Sequence, residues 1–180
     1  MYAGHSRSQS PSVSEVVVVT DASPLLALLR VGLAHLLHAL YGEVLVPEAV
    51  DGEVRTGAVR SGHLEAYEAL DGYRVVRAPS FPIEDPGRRR RLDPGEMEAI
   101  ALCTTLERPL LLIDEAAGRR LAGQLGIRYT GVLGILVVAY QRGLIGDFTA
   151  DIVRLREVYS FHLSDRLVRK TLADIGLGGT

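Results

Sequence analysis

The chain has almost no cysteine, almost no lysine and no apolar run long enough to cross a bilayer, and each absence removes a class of protein. A single cysteine, Cys103, excludes an internal disulfide and a cysteine-rich metal site, and it fits a reducing compartment. No apolar stretch approaches the roughly 18 residues of a membrane span. The segment MYAGHSRSQSPSVSE has no apolar signal-peptide core, so the sequence predicts a disordered tail over residues 1–14 and one domain over 15–180. A cytoplasmic protein without a membrane partner is the expectation. The net charge of −2 provides no global attraction for nucleic acid, so any anionic partner must meet a local patch. Among 20 basic residues Lys170 is the only lysine, which removes chemistries that need a positioned ammonium.

What is present is a globular composition, 47% hydrophobic and 23% charged over 180 residues, enough for a sizeable core. Val16–Thr20 and Leu110–Ile113 are apolar runs without alternation, the pattern of strands buried on both faces. EVLV (43–46), YRVVRA (73–78, an edge strand) and IRYT (127–130) are shorter strand candidates. Leucine spacing predicts a helix over 23–40, capped by Ser23 with Pro24 at its first position. Further helices are expected at 47–55, 61–70, from Pro94, before Gly126, after Gly131, and over 147–158 and 164–174. Strands alternating with helices predict an α/β fold, a three-layer α/β/α sandwich around a central parallel sheet.

Both buried runs end on a carboxylate, Asp21 and Asp114. Ligands of parallel sheets bind beyond the carboxyl ends of the strands. Neighbouring strands lie about 4.8 Å apart, so adjacent placement would bring the two aspartates together, and like charges that close call for a cation or a proton. A helix cap would account for either aspartate alone; the repetition sets a metal site beside that reading without choosing between them. Glu53 flanks the apolar stripe of its helix, and Glu96 and Glu98 lie on either side of theirs, with spacing alone not choosing between them. Four such carboxylates would hold Mg²⁺ or Mn²⁺ through oxygen and activate water for phosphodiester hydrolysis.

The remaining features are weaker. RRRR (88–91) would grip phosphates or simply be a solvated loop. Arg119 and Arg120 follow the second acidic strand, where one could pair with a carboxylate or a substrate phosphate. His35 and His38 suit a half-buried helix face better than a metal site. GVLGIL (131–136) lacks both the dinucleotide and the P-loop patterns.

Five segments, VTDASPLLALLRVGLAHLL, YGEVLVPEAVDGEV, LDPGEMEAIAL, LLLIDEAAGRRLAGQLGI and YTGVLGILVVAYQRGLI, span residues 19–145 in order. Together they resemble the PIN-domain superfamily of ribonucleases, which includes VapC-type toxins, and within it a prokaryotic PIN-like family. The resemblance implies an acidic pocket for Mg²⁺ or Mn²⁺. It puts the first-strand aspartate at Asp21, a hydroxyl near the metal at Ser23 and the second-helix acid at Glu53. The middle-helix acid falls on Glu96, with Glu98 the second choice, and the later-strand acid on Asp114 with Glu115 beside it. That middle helix usually carries aspartate in PIN domains, whereas this chain has glutamate. A toxin-like endoribonuclease acting on RNA would further imply a small antitoxin protein and a homodimer. The competing reading is a PIN fold with a degraded site that binds RNA or a protein. A phosphoacceptor domain also places aspartates at strand ends, but a receiver needs a late-sheet lysine, and the phosphatase pattern needs an aspartate where Ser23 stands.

Overall fold

The computed structural model describes residues 16–80, 92–159 and 164–177. The expected amino-terminal tail and the RRRR run lie outside them. Five parallel strands, β1 (Val18–Thr20), β2 (Val44–Pro47), β3 (Tyr73–Val76), β4 (Leu110–Leu112) and β5 (Arg128–Thr130), form one sheet in the order β3-β2-β1-β4-β5. Helices α1 (Ala22–Arg30), α2 (His35–Tyr41), α3 (Glu48–Ser61) and α4 (Leu64–Glu68) precede the gap in the described residues. After it come α5 (Pro94–Thr104), α6 (Ala116–Gln124), α7 (Val132–Gln141), α8 (Phe148–Tyr159) and α9 (Asp165–Asp174).

Two cores sandwich the sheet because successive strand residues point to opposite faces. Val18, Val44, Val46 and Leu112 face one core with leucines of α1 and α2 and with α7 and α8. Val19, Leu45, Leu111 and Ile113 face the other, with Ala99, Ile100 and Cys103 of α5 and Leu121 of α6. That is the expected α/β/α sandwich, and it explains the absence of polar alternation in β1 and β4: neither strand has a solvent face.

Two local expectations are corrected. The single helix over 23–40 is two, bent by 118° at residues 31–34. Gly32 adopts φ +74, and the Leu33 and Gly32 N–H groups bond back to Leu28 O (2.8 Å) and Leu29 O (3.0 Å). This closes α1 with the left-handed glycine stop. Leucine spacing runs through the break because both halves bury their leucines in one core, so periodicity alone cannot see it. The cap of α1 is Asp21 itself, with Ser23 and Pro24 inside the first turn, where proline's missing N–H is harmless. Among the described residues no single helix is long and apolar enough to cross a membrane.

Candidate active site

The order β3-β2-β1-β4-β5 reverses direction between β1 and β4, which makes that boundary the switch point where open α/β sheets bind ligands. Thr20 pairs with Leu112, and the Asp21 N–H bonds Leu112 O at 2.9 Å. Asp21 and Asp114 therefore leave adjacent strands at the same end of the sheet, which meets the condition for bringing the two aspartates together.

Asp21 is 1% exposed, and its Oδ1 has no hydrogen-bond partner. Burial pushes its pKa up to about 8; the nearby Ala22 and Ser23 N–H groups oppose this, while the charges of Asp93 and Glu96 add to it. An orphaned buried carboxylate costs several kcal/mol unless something supplies positive charge or a proton.

Glu96 reaches the same place from the start of α5. Asp93 caps this helix, its Oδ1 accepting from the Glu96 N–H at 2.7 Å while Glu96 Oε2 accepts from the Asp93 N–H at 3.1 Å. This reciprocal capping box uses one oxygen of Glu96 and leaves the other, Oε1, buried without a partner. Burial raises the Glu96 pKa to about 7; Asp93 and Glu115 raise it further, and the Asp93 and Gly118 N–H groups draw it down. Gly118 is tightly packed here, since a Cβ would stand 2.8 Å from Glu96 Oε1 and would strike Ile113 Cδ1.

Asp114 follows β4, and both its oxygens accept from the Val132 N–H, at 3.2 and 3.3 Å. It thus sits at the positive end of α7 across the cleft, not at the start of its own helix, where Glu115 is the cap residue. Burial lifts its pKa to about 6, against the Val132 N–H and the charge of Arg119. Glu115 is exposed and raises both Glu96 and Asp114, which puts it on the rim.

The other candidates are placed differently. Glu53 accepts from the Gly95 N–H at 3.0 Å, and Glu98 accepts from the Ala49 N–H at 2.8 Å. Each of the packed helices α3 and α5 therefore supplies a carboxylate to the other's N-terminus. The side chain of Glu98 is engaged on α3 rather than aimed at Asp21. Glu53 has its pKa raised by burial and by Asp93 and Glu98, so its charged neighbours lie at the α5 end of the cleft. Ser23 is half-buried next to Asp21, Arg119 Nε donates to Ile113 O at 3.0 Å, and Arg120 is exposed. His35 and His38 use Nδ1 on the carbonyls of Gly32 and Gly42, which is helix capping.

Asp93 was missed in the sequence. Its signal was Asp-Pro-Gly-Glu, a capping box with aspartate in the usual serine or threonine position.

Among the described residues no three His, Cys, Asp or Glu side chains stand close enough to form a ready-made metal cage. The donor chemistry nevertheless suits a hard divalent cation: Asp21 Oδ1 and Glu96 Oε1 are buried carboxylate oxygens without partners, flanked by further acids.

A parallel sheet with buried acids at its switch point is an α/β fold arranged to bind a ligand there. The model of the PIN-domain family matches residues 17–177, and the chain belongs to that family. PIN domains are generally nucleases and typically use divalent metal ions. None of the curated proteins compared with the chain matches it.

Proposed function

We propose that the protein is a Mg²⁺- or Mn²⁺-dependent endoribonuclease of toxin-like character, with Asp21, Glu96 and Asp114 as its metal-holding acids. The observation that carries this reading is the pair of partnerless buried oxygens, Asp21 Oδ1 and Glu96 Oε1, at the switch point. A bound divalent cation supplies a Lewis acid that lowers the pKa of a water and neutralises charge on the leaving oxygen. The residues of the chain prepare for it. Burial removes competing water, and the capping box turns Glu96 Oε1 inward while Oε2 is occupied. The α7 N-terminus holds Asp114 in place through Val132. Arg119, next to Asp114, is the group on this side that can meet a substrate phosphate. Ser23 and Glu115 flank the acids, and Glu53 reaches the α5 end from α3.

RNA cleavage with Mg²⁺ or Mn²⁺ tests the reading. Wild type should cut while Asp21→Asn and Asp114→Asn lose at least a hundred-fold in rate; equal rates in all three refute it. One observation favours a second reading, a PIN fold that binds RNA or a protein without cutting: among the described residues the acids are not gathered into a group of three. Calorimetric titration with Mn²⁺ separates the two. Carboxylate-dependent heat supports the nuclease, and its absence supports the binding module.

A further inference from the structure

Beyond Asp114, an arginine and a tyrosine stand together at the edge of the sheet. Arg119 is held at the carboxyl end of β4 by its bond to Ile113 O, and its Cζ stands over the Tyr129 ring at 5.6 Å from the centroid. Tyr129 is the middle residue of edge strand β5 and pairs with Leu111, so its side chain points to the α5–α6 face. On the inner strands that face is sealed by apolar side chains. Here α6 offers Gly123 instead, whose Cβ position lies 3.7 Å from Tyr129 Cε1, and the tyrosine stays 43% exposed. Its hydroxyl has no hydrogen bond to any described residue. Two residues on, about 7 Å along the strand, a Cβ at Gly131 would strike Asp114 Oδ1 and stand 2.7 Å from Arg119 Nη2. Acid, guanidinium and aromatic ring are therefore contiguous.

A partly exposed ring with a guanidinium over one face, next to acids suited to phosphodiester chemistry, matches an unpaired nucleotide: the ring's other face stacks the base and the guanidinium takes the adjoining phosphate. We propose that Tyr129 and Arg119 form a base-stacking subsite that selects single-stranded RNA. This rests on the reading of RNA as substrate. Bases within a duplex are already stacked and cannot lie on the ring, so duplex RNA gains nothing there. The subsite is tolerant of base identity because every base has a π-face.

The test uses the full chain carrying Asp21→Asn to prevent cleavage, with fluorescein-labelled single-stranded and duplex 12-mers followed by anisotropy in EDTA. Tyr129→Leu should weaken single-strand binding on the order of ten-fold. Tyr129→Phe should bind as the parent does, and duplex binding should be the same in all three. In the parent, single-stranded RNA carrying 5-iodouridine should cross-link to residue 129 on irradiation, which reports the contact even if the leucine variant folds poorly. Single-strand affinity unchanged by Tyr129→Leu, equal loss for duplex and single strand, or cross-linking confined to other residues overturns the subsite and leaves the nuclease reading standing. A parent that binds no single-stranded RNA overturns both.

Discussion

Replacing Asp21 by asparagine should stabilise the apoprotein, by an amount that grows with pH. The unfolded carboxyl titrates near 3.8 and the folded one near 8, because burial penalises the ionised form. Between those values the native state holds a proton that the unfolded state has released, so stability falls as pH rises. Each unit of difference is worth about 1.4 kcal/mol, so at pH 7 the burial of this carboxyl costs on the order of 4 kcal/mol. Asparagine has nearly the same shape, is equally good as a helix N-cap and cannot ionise. It shares the cost of the partnerless Oδ1 but not the titration. Asp21→Asn should therefore match wild type at pH 4 and exceed it by about 3 to 4 kcal/mol at pH 7.

Urea unfolding followed by circular dichroism, in EDTA at pH 4, 5, 6, 7 and 8, measures this directly. Glu96 and Asp114, with pKa values pushed up to about 7 and 6, lower stability over the same range in both proteins. The difference between the two curves therefore isolates Asp21. A difference that stays flat from pH 4 to pH 8 refutes the claim that this carboxyl is desolvated in the fold. A destabilised asparagine variant at pH 7 refutes it equally.

Added Mn²⁺ at a hundred times its Kd should stabilise wild type by about 2.7 kcal/mol and so raise its unfolding midpoint, and should leave Asp21→Asn almost unmoved; differential scanning calorimetry reads both. Asp93→Ala should cost about 1 kcal/mol in urea unfolding through loss of the cap, and Asp93→Ser should recover most of it. Gly118→Ala should cost about 1 to 3 kcal/mol, since its Cβ meets Ile113 Cδ1 and Glu96 Oε1 and those two side chains must move. The same variant should weaken Mn²⁺ binding by calorimetry, and unchanged affinity would show that Glu96 Oε1 does not face the ion.

The fold was largely legible because its strands are buried on both sides, so Val16–Thr20 and Leu110–Ile113 stand out from any amphipathic pattern. The strand-end aspartates were legible for the same reason: a carboxylate at the end of such a run has no solvent face to explain it. The break at Gly32 was not legible, because α1 and α2 pack into one core and their leucines keep a common period across the turn. Nor was Asp93, whose importance lies in a two-way hydrogen bond with Glu96 rather than in hydropathy.

The choice between Glu96 and Glu98 shows where composition stops and geometry begins. Two residues along a helix is about 200° of rotation, so one start of α5 presents its glutamates to opposite sides. The Asp93 cap fixes the phase of that rotation: it engages Glu96 Oε2 and leaves Oε1 buried against Gly118. Glu98 must then face α3, where the Ala49 N–H receives it, as the Gly95 N–H receives Glu53 in return. A Cβ at Gly95 would come within 2.9 Å of the Glu53 carboxylate and push it off this bond. The two cross-caps anchor the end of α5 from the α3 side while the capping box aims Glu96 from within. One short sequence, DPGEME, thus holds both a fastening and the acid proposed as a ligand. The chemistry of each glutamate is set by which backbone N–H groups lie near it, Ala49 for Glu98 and Asp93 and Gly118 for Glu96.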